Sequence, residues 1–413
     1  MFNFFVLFFI AVIAFGSIAV GPYSLRVFLS VIMIVLLLFF RKKTKWEIPF
    51  KYVGVYLLFL FFYGLALTMN GEFKTHGFIK QFLAFHLVCI IVYYACYTFV
   101  TSKRKMIITT RLLMGILVTT CIVTILQYNG SSLGWGIAVT FNSSGLTDSI
   151  QENMLSSDGD FLGKSITVGI FPYVFTNAMF IASTGVISLY GMLNKEKKTI
   201  EKVIYMFITL LAIVACFMTQ QRAAFGLMIL GIAVILLLYG NKHVALLLLF
   251  VFVLLFFFNN SIFETLQNDE RLGRFVEILN LKDDESRKAL REAAENFLDN
   301  HLLWGGPEKY QMLAGKASHN FFYNAFIYGG LFGGLTVLLL FTMMVFRSFM
   351  VIKNGLRRDR LSPYFAVGLL IFLGCGFFHN ASLVIGSSQI FILFSMMLVT
   401  ERIENQQLNK KTI

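Results

Sequence analysis

The residues able to do chemistry in this chain stand at the edges of long apolar runs. Arg222 sits in Thr219-Gln220-Gln221-Arg222, a link between two such runs that is too short to carry a guanidinium far into water. Arg287 and Arg291 lie four apart in the one long polar island, 259–318, which ends in Ser318-His319-Asn320-Phe321-Phe322 as a new apolar run begins. Arg26 occupies a similar edge near the start of the second run. A guanidinium grips phosphate oxygens with forked, charge-assisted hydrogen bonds. Several arginines converging on one place suit a diphosphate, which carries more than one negative charge. Histidine titrates near neutral pH and accepts a proton from a hydroxyl. These residue types point to anion binding beside a general base.

Each residue also has a plainer reading. Arg222 can snorkel to a headgroup layer. Arg287 and Arg291 can form helical ion pairs with Asp284, Glu285 or Glu295. His319 can be an interfacial histidine bonded to backbone, and His379-Asn380 repeats the same dipeptide at another run's edge. Arg271 and Arg274 are weaker versions of Arg287, and His76, His86, His243 and His301 are not candidates. Cys89, Cys96, Cys121, Cys216 and Cys375 all fall inside apolar runs, where a thiol is a small buried apolar group. Asp148, Glu152, Asp158 and Asp160 lack the spacing of a calcium loop. No metal or other cofactor is expected.

The elements that must position these residues are membrane helices. Of the 413 residues 57% are hydrophobic and 14% charged, and the mean hydropathy is +0.75, too apolar for a water-soluble domain of this size. A helix needs roughly 20 apolar residues to cross a bilayer. Twelve runs qualify: 2–20, 23–40, 50–68, 78–100, 106–127, 166–193, 203–219, 223–240, 243–258, 320–346, 363–381 and 383–400. They are too long and too uniform for barrel strands. The expected fold is therefore all-α, a single polytopic membrane domain over 1–413 with about twelve transmembrane helices.

Basic links orient these helices. Arg41-Lys42-Lys43-Thr44-Lys45, Lys103-Arg104-Lys105, Asn194 to Lys198, Lys242, Arg347 to Arg360 and the C-terminal tail fall on one side, with more than half of the chain's 35 Lys and Arg. The positive-inside rule makes that side cytoplasmic, with both termini. The net charge of +13 is then a topology signal and not a nucleic-acid footprint. The loops 128–165 and 259–318 fall outside. Within the second, Asp283-Asp284-Glu285-Ser286 opens a short helix whose Ala289, Leu290, Ala293, Ala294, Phe297 and Leu298 form an apolar stripe. That helix is expected to lie on the membrane or to cap the bundle, and Trp304-Gly305-Gly306-Pro307 to end it in a sharp turn. The glycines of Tyr328-Gly329-Gly330-Leu331-Phe332-Gly333-Gly334 let helices approach closely.

Three stretches resemble the O-antigen polymerase and O-antigen ligase superfamily, integral membrane glycosyltransferases that use undecaprenyl-diphosphate-linked sugars. Gln221-Arg222-Ala223-Ala224 is similar to the family's arginine turn, although Gln220-Gln221 stands where a small or hydroxyl residue is common. Arg287 with Ala294, Phe297 and Trp304-Gly305-Gly306-Pro307 resembles its loop pattern, and Ser318-His319-Asn320-Phe321-Phe322 with the trailing glycines resembles its His-Asn motif. The likeness covers about 219–340. It implies that Arg222 and Arg287, with Arg291, hold the donor diphosphate and that His319 is the general base; Asn320, and Arg26 by its place at a run's edge, are the candidate supporting residues. It also implies a metal-independent, inverting transfer at the periplasmic face of the inner membrane. Partners would be the lipid-linked donor, a lipid-linked acceptor (or lipid A-core for a ligase) and a chain-length regulator. Polymerase is the preferred reading and ligase the alternative. A transporter is the rival class, for which charges near the bilayer midplane are expected; here the charges crowd the edge.

Overall fold

The computed structural model of the chain describes residues 1–15, 18–20, 23–40, 49–74, 78–79, 81–141, 167–240, 242–244, 246, 285–315, 318, 320–355, 360–377 and 383–411. Among these residues the only sheet is a two-residue antiparallel pair, β1 (Ala19–Val20) with β2 (Tyr23–Ser24), in which Ala19 faces Ser24. The rest of the regular structure is helical: α1 (Phe2–Ala14), α2 (Leu25–Phe40), α3 (Phe50–Met69), α4 (Phe82–Phe99, opening on a π turn at Phe82–Leu87), α5 (Lys103–Tyr128), α6 (Ser132–Phe141) and α7 (Val174–Leu193). Then follow α8 (Thr199–Met218), α9 (Arg222–Tyr239), α10 (Glu285–His301), α11 (Pro307–Ala314), α12 (Phe321–Asn354), α13 (Ser362–Cys375) and α14 (Ser388–Lys411).

Among the described residues seven helices, α3, α4, α5, α7, α8, α9 and α12, are long and apolar enough to cross a membrane. The chain is thus an all-α, multi-pass membrane protein. Helices also occupy the other expected runs except the ninth, 243–258, which lies almost wholly outside the described residues. Seven is therefore the count that the described helices carry, and twelve remains the sequence expectation. Two differences concern the loops. Residues 132–141, read as part of an outer loop, form α6, which folds back so that Phe141 stacks on Phe15 at 4.8 Å. Beyond Trp304-Gly305-Gly306 the chain does not run straight to the membrane but starts α11 at Pro307, whose fixed φ suits a first helical turn.

Helix α7 is the centre of the bundle. It packs against α5, α8, α9 and α13, and almost every residue from Asn177 to Leu189 is buried. A helix that is apolar all round belongs in such a place. Gly185 lets α8 and α9 close on it: a Cβ there would meet Met228 Cε at 2.7 Å and Ala212 Cβ at 2.9 Å. Hydroxyls inside the bundle return to their own helix, as Thr110 does to Met106 O at 3.0 Å and Ser348 to Met344 O at 2.9 Å. In lipid each polar group must find such an internal partner.

The helices alternate between two ends. At one end Lys103 pairs with Glu196, Arg111 with Glu201 and Arg347 with Glu401, while Arg402 donates to the carbonyls of Tyr97 and Val100. There Glu404 also accepts from the backbone of Leu361 and Ser362 and so caps α13. The other end holds the starts of α7, α9 and α12 and the small unit α10–α11.

Candidate functional site

The turn between α8 and α9 carries Arg222, and its backbone is bound tightly. Thr219 folds its hydroxyl onto Cys216 O at 2.6 Å, Gln220 N donates to Phe217 O at 3.0 Å, and Phe225 N donates to Gln221 O at 3.0 Å. Gln220 has φ 55°, the one positive value outside glycine among the described residues. That conformation is costly for a residue with a Cβ. From the side, Thr167 Oγ1 donates to Met218 O at 3.3 Å. Thr167 belongs to a buried polar knot in which Asn177 takes a hydrogen bond from Thr120 at 2.8 Å and donates to Thr124 at 2.9 Å and to Thr167 O at 3.2 Å. The central helix thereby fixes where α9 begins. Arg222 is the first residue of α9 and is exposed. The orphan N–H groups and positive dipole end of a helix start attract an anion.

The second half of the site is built on a break in α12. At Gly330 the helix takes φ 60° and ψ −164°, a conformation reserved for glycine. The turn after α10 fits into that break. Leu331 N donates to Leu303 O at 3.2 Å, and Gly306 N donates to Ile327 O at 2.8 Å. A Cβ on Gly330 would lie 2.4 Å from Leu303 O, and one on Gly305 would lie 2.4 Å from Ile327 O. Both glycines are therefore needed for two backbones to touch. The loop helix does not lie loose on a membrane surface: Ala294 and Phe297 of its apolar stripe are buried with Tyr310 of α11 and Ile327 of α12. The end of α3 clamps the unit from outside. Glu72 accepts from the N–H groups of Glu308 at 3.2 Å and Lys309 at 2.9 Å, capping α11, and Asn70 Nδ2 donates to Trp304 O at 3.1 Å.

A third tie runs from α10 to the start of α12. Tyr323 donates its hydroxyl to Glu295, and Arg291 Nε donates to the same carboxylate oxygen at 3.0 Å. The Tyr323 hydroxyl, with Arg291 second, holds the Glu295 carboxyl below its ordinary range, and the bond to Glu295 raises the Arg291 guanidinium. Arg291 thus adopts the plainer role foreseen for it, a helical ion pair. Arg287 falls on the first turn of α10, and its side chain lies outside the described residues. Asn320 is the N-cap of α12, its Oδ1 accepting from Phe322 N at 2.8 Å and Tyr323 N at 3.4 Å. Asn324 Nδ2 donates to Ser318 O at 2.7 Å. His319 itself lies outside the described residues, but the chain on both sides of it is pinned to the first turn of α12. His76 and His379 also lie outside the described residues.

Helix α13 stands between the two halves. Phe377, at its end, packs on Phe321 and Phe322 with ring centroids 6.1 and 5.1 Å apart. On its other side a Cβ at Gly374 would touch Leu227 of α9 at 3.0 Å. The starts of α9 and α12, with Arg222 and Asn320, therefore flank one helix end. Arg26 is placed differently. Its guanidinium lies over the Phe85 ring at 4.5 Å, and its Nε is buried without a hydrogen-bond partner among the described residues.

Sequence reasoning missed Glu72, Asn70 and Tyr323. The pair Asn70-Gly71 after an apolar run was a turn signal, but nothing local says that Glu72 caps a helix far along the chain. Tyr323, one turn after His319, was legible as a neighbour on the same helical face. His86, set aside in the sequence, is buried on the π turn of α4 with its Nδ1 2.7 Å from the Tyr56 hydroxyl.

Comparison with known proteins gives one match. Residues 206–338 fit the family model described as O-Antigen ligase. No curated protein and no solved structure matches the chain. The matched segment contains Arg222, Arg287, Arg291, His319 and Asn320, and leaves out Arg26.

Proposed function

We propose that this chain, whose residues 206–338 fit the O-Antigen ligase family model, belongs to the O-antigen polymerase and ligase superfamily and joins undecaprenyl-diphosphate-linked oligosaccharide repeats at the periplasmic face of the bacterial inner membrane. Members of that superfamily are glycosyltransferase-like membrane enzymes. One observation carries the reading: the matched segment holds five of the six residues that the sequence singles out. The geometry supports it, because two separately braced helix starts bearing Arg222 and Asn320 flank the end of α13. The whole chain is read as one membrane domain. Both termini and the ion-paired end face the cytoplasm, and the loops 128–165 and 259–318 face outward.

In this reading Arg222 and Arg287 grip the donor diphosphate, and Arg291 contributes when its pair with Glu295 opens. An acceptor hydroxyl attacks the anomeric carbon from the face opposite the diphosphate. The new C–O bond forms as the bond to the diphosphate oxygen breaks, and the configuration inverts. The hydroxyl proton passes to His319, and the electron pair leaves with the diphosphate. Charge developing on that oxygen is stabilised by guanidinium groups and by the N-terminus of α9, so no metal is required. Asn320 holds the start of α12 and with it the approach of His319; Arg26 lends support from α2. The acceptor is a second lipid-linked glycan, and a chain-length regulator is the expected protein partner. The second reading is transfer of the finished glycan to lipid A-core, and the family match holds equally for both.

The test is the glycan profile of cells carrying His319→Ala or Arg222→Ala. Loss of long-chain glycan with normal membrane insertion is expected, and an unchanged ladder overturns the assignment. A null strain that leaves single lipid-linked repeats marks a polymerase; one that accumulates undecaprenyl-linked polymer marks a ligase.

A further inference from the structure

A pocket at the ion-paired end has no part in the reading above. It opens between the start of α3, the end of α4, α12 and α14, with a volume of about 520 Å3, inside the range of roughly 300–1,000 Å3 for ligand sites. Among the described residues its lining combines Lys51, Arg347 and Arg402 with a single carboxylate, Glu401, beside the rings of Tyr52 and Tyr97. Glu401 is bound to Arg347. Arg402 uses one nitrogen, Nη2, on the carbonyls of Tyr97 at 3.3 Å and Val100 at 3.5 Å, and a guanidinium has five N–H donors. The Lys51 ammonium lies 5.1 Å from the centre of its neighbour Tyr52's ring. Two cations beyond the internal ion pair thus share one partly enclosed space, an arrangement that an anion stabilises. The floor is largely apolar: Tyr52, Tyr97 and Leu398 line it and are buried. Along α14 the sequence changes at this level from Phe-Ser-Met-Met-Leu-Val-Thr to Glu-Arg-Ile-Glu-Asn-Gln-Gln, the change expected where a helix leaves hydrocarbon.

We propose that this pocket binds the phosphate headgroup of an anionic phospholipid from the leaflet at the ion-paired end. Basic recesses between membrane helices have the chemistry for such headgroups. Arg402 and Lys51 meet the phosphate, Arg347 reinforces them through its free donors, and the tyrosine floor receives the glycerol and the start of the acyl chains, which suits amphipathic rings at an interface. The occupant ties α3, α4, α12 and α14 together at the end opposite the candidate glycan site. It is therefore a structural lipid, independent of which glycan the protein handles.

The test is a titration of purified protein in neutral detergent with dioctanoyl phosphatidylglycerol, read as the melting temperature. The expected result is a saturable rise that dioctanoyl phosphatidylcholine does not give. Arg402→Gln should raise the half-saturating concentration about tenfold, the loss of one charged contact. Arg402 also caps α4, so Lys51→Gln is the companion variant: Lys51 is exposed and can be changed without disturbing the fold. The double variant Lys195→Gln/Lys202→Gln removes two cations from the same end outside the pocket and should keep the wild-type response. No saturable rise in the wild type, or an equal loss in that control, overturns the proposal. An equal rise with glycerol 3-phosphate overturns the lipid as its source and leaves a soluble phosphate ester as the ligand.

Discussion

Arg222 and Arg291 look alike in sequence, yet their surroundings give them different expected weights. Arg222 opens α9, where the helix dipole adds to its own attraction for an anion. Arg291 already spends its Nε on Glu295, and an exposed helical pair of that kind contributes little. Arg222→Ala should therefore lower glycan transfer by about 10²–10³, as removal of one preorganised charge stabiliser does, while Arg291→Ala should cost no more than about tenfold. Initial rates with a lipid-diphosphate donor in detergent would rank them, and equal losses would mean that Arg291 matters to the diphosphate as much as Arg222 does. Gln220 supplies a second prediction. At φ 55° a side chain costs about 1–2 kcal/mol, and a β-branched one costs more. Gln220→Gly should keep or raise the melting temperature, whereas Gln220→Val should lower it and reduce activity together, because the same turn aims Arg222. A Gln220→Val protein with wild-type properties would remove the turn from the argument.

The contact between the α10–α11 unit and α12 depends on backbone meeting backbone. Gly330→Ala places a methyl group 2.4 Å from Leu303 O in a conformation alanine does not adopt. It should separate the unit from the helix while α12 still spans the membrane. Limited proteolysis is the readout: cleavage near 302–306 should speed up in Gly330→Ala and not in Gly329→Ala, whose added methyl would lie 3.1 Å or more from its neighbours. Glu295 allows a check by pH. Its carboxyl is held below the ordinary value, first by Tyr323. The tie it contributes is present above the ordinary carboxylate pKa of about 4.3 and fades only as pH falls through the lower folded value. Protection of 302–306 should then be level from neutral pH down to about 5 and fall only in stronger acid. The unit also marks what could be read in advance. The stripe Ala294, Phe297 and Leu298 was legible because helical spacing is local. The break at Gly330 was not: a glycine run inside an apolar segment looks like close packing, and only the carbonyl of Leu303 arriving from another element shows why the helix opens. Helices α6 and α11 were missed for a related reason, since both are short and are held by their neighbours more than by their own pattern.

At the scale of the molecule the two ends differ in what holds them. One is laced by ion pairs between links, Lys103–Glu196 and Arg111–Glu201 among them. The other has Lys74–Glu308 and Arg291–Glu295 only around the α10–α11 unit, and the bundle there is held by neutral knots such as Asn177 with Thr120 and Thr124 and by backbone contacts around Gly330. This asymmetry follows the charge pattern that was visible in sequence, because the basic links that orient a membrane protein also find their carboxylate partners nearby. It does not name the side, which the positive-inside rule alone assigns. All five cysteines are buried and free, so single cysteines can be introduced without removing the native ones. Lys195→Cys marks the ion-paired end and Asn300→Cys the exposed face of α10. In intact spheroplasts a membrane-impermeant maleimide should label Asn300→Cys and leave Lys195→Cys untouched until the membrane is opened. The reverse pattern would turn the candidate site toward the cytoplasm, where a lipid-linked repeat awaiting export replaces the exported one as substrate. Labelling of both would mean that the two ends do not lie on opposite faces of the membrane.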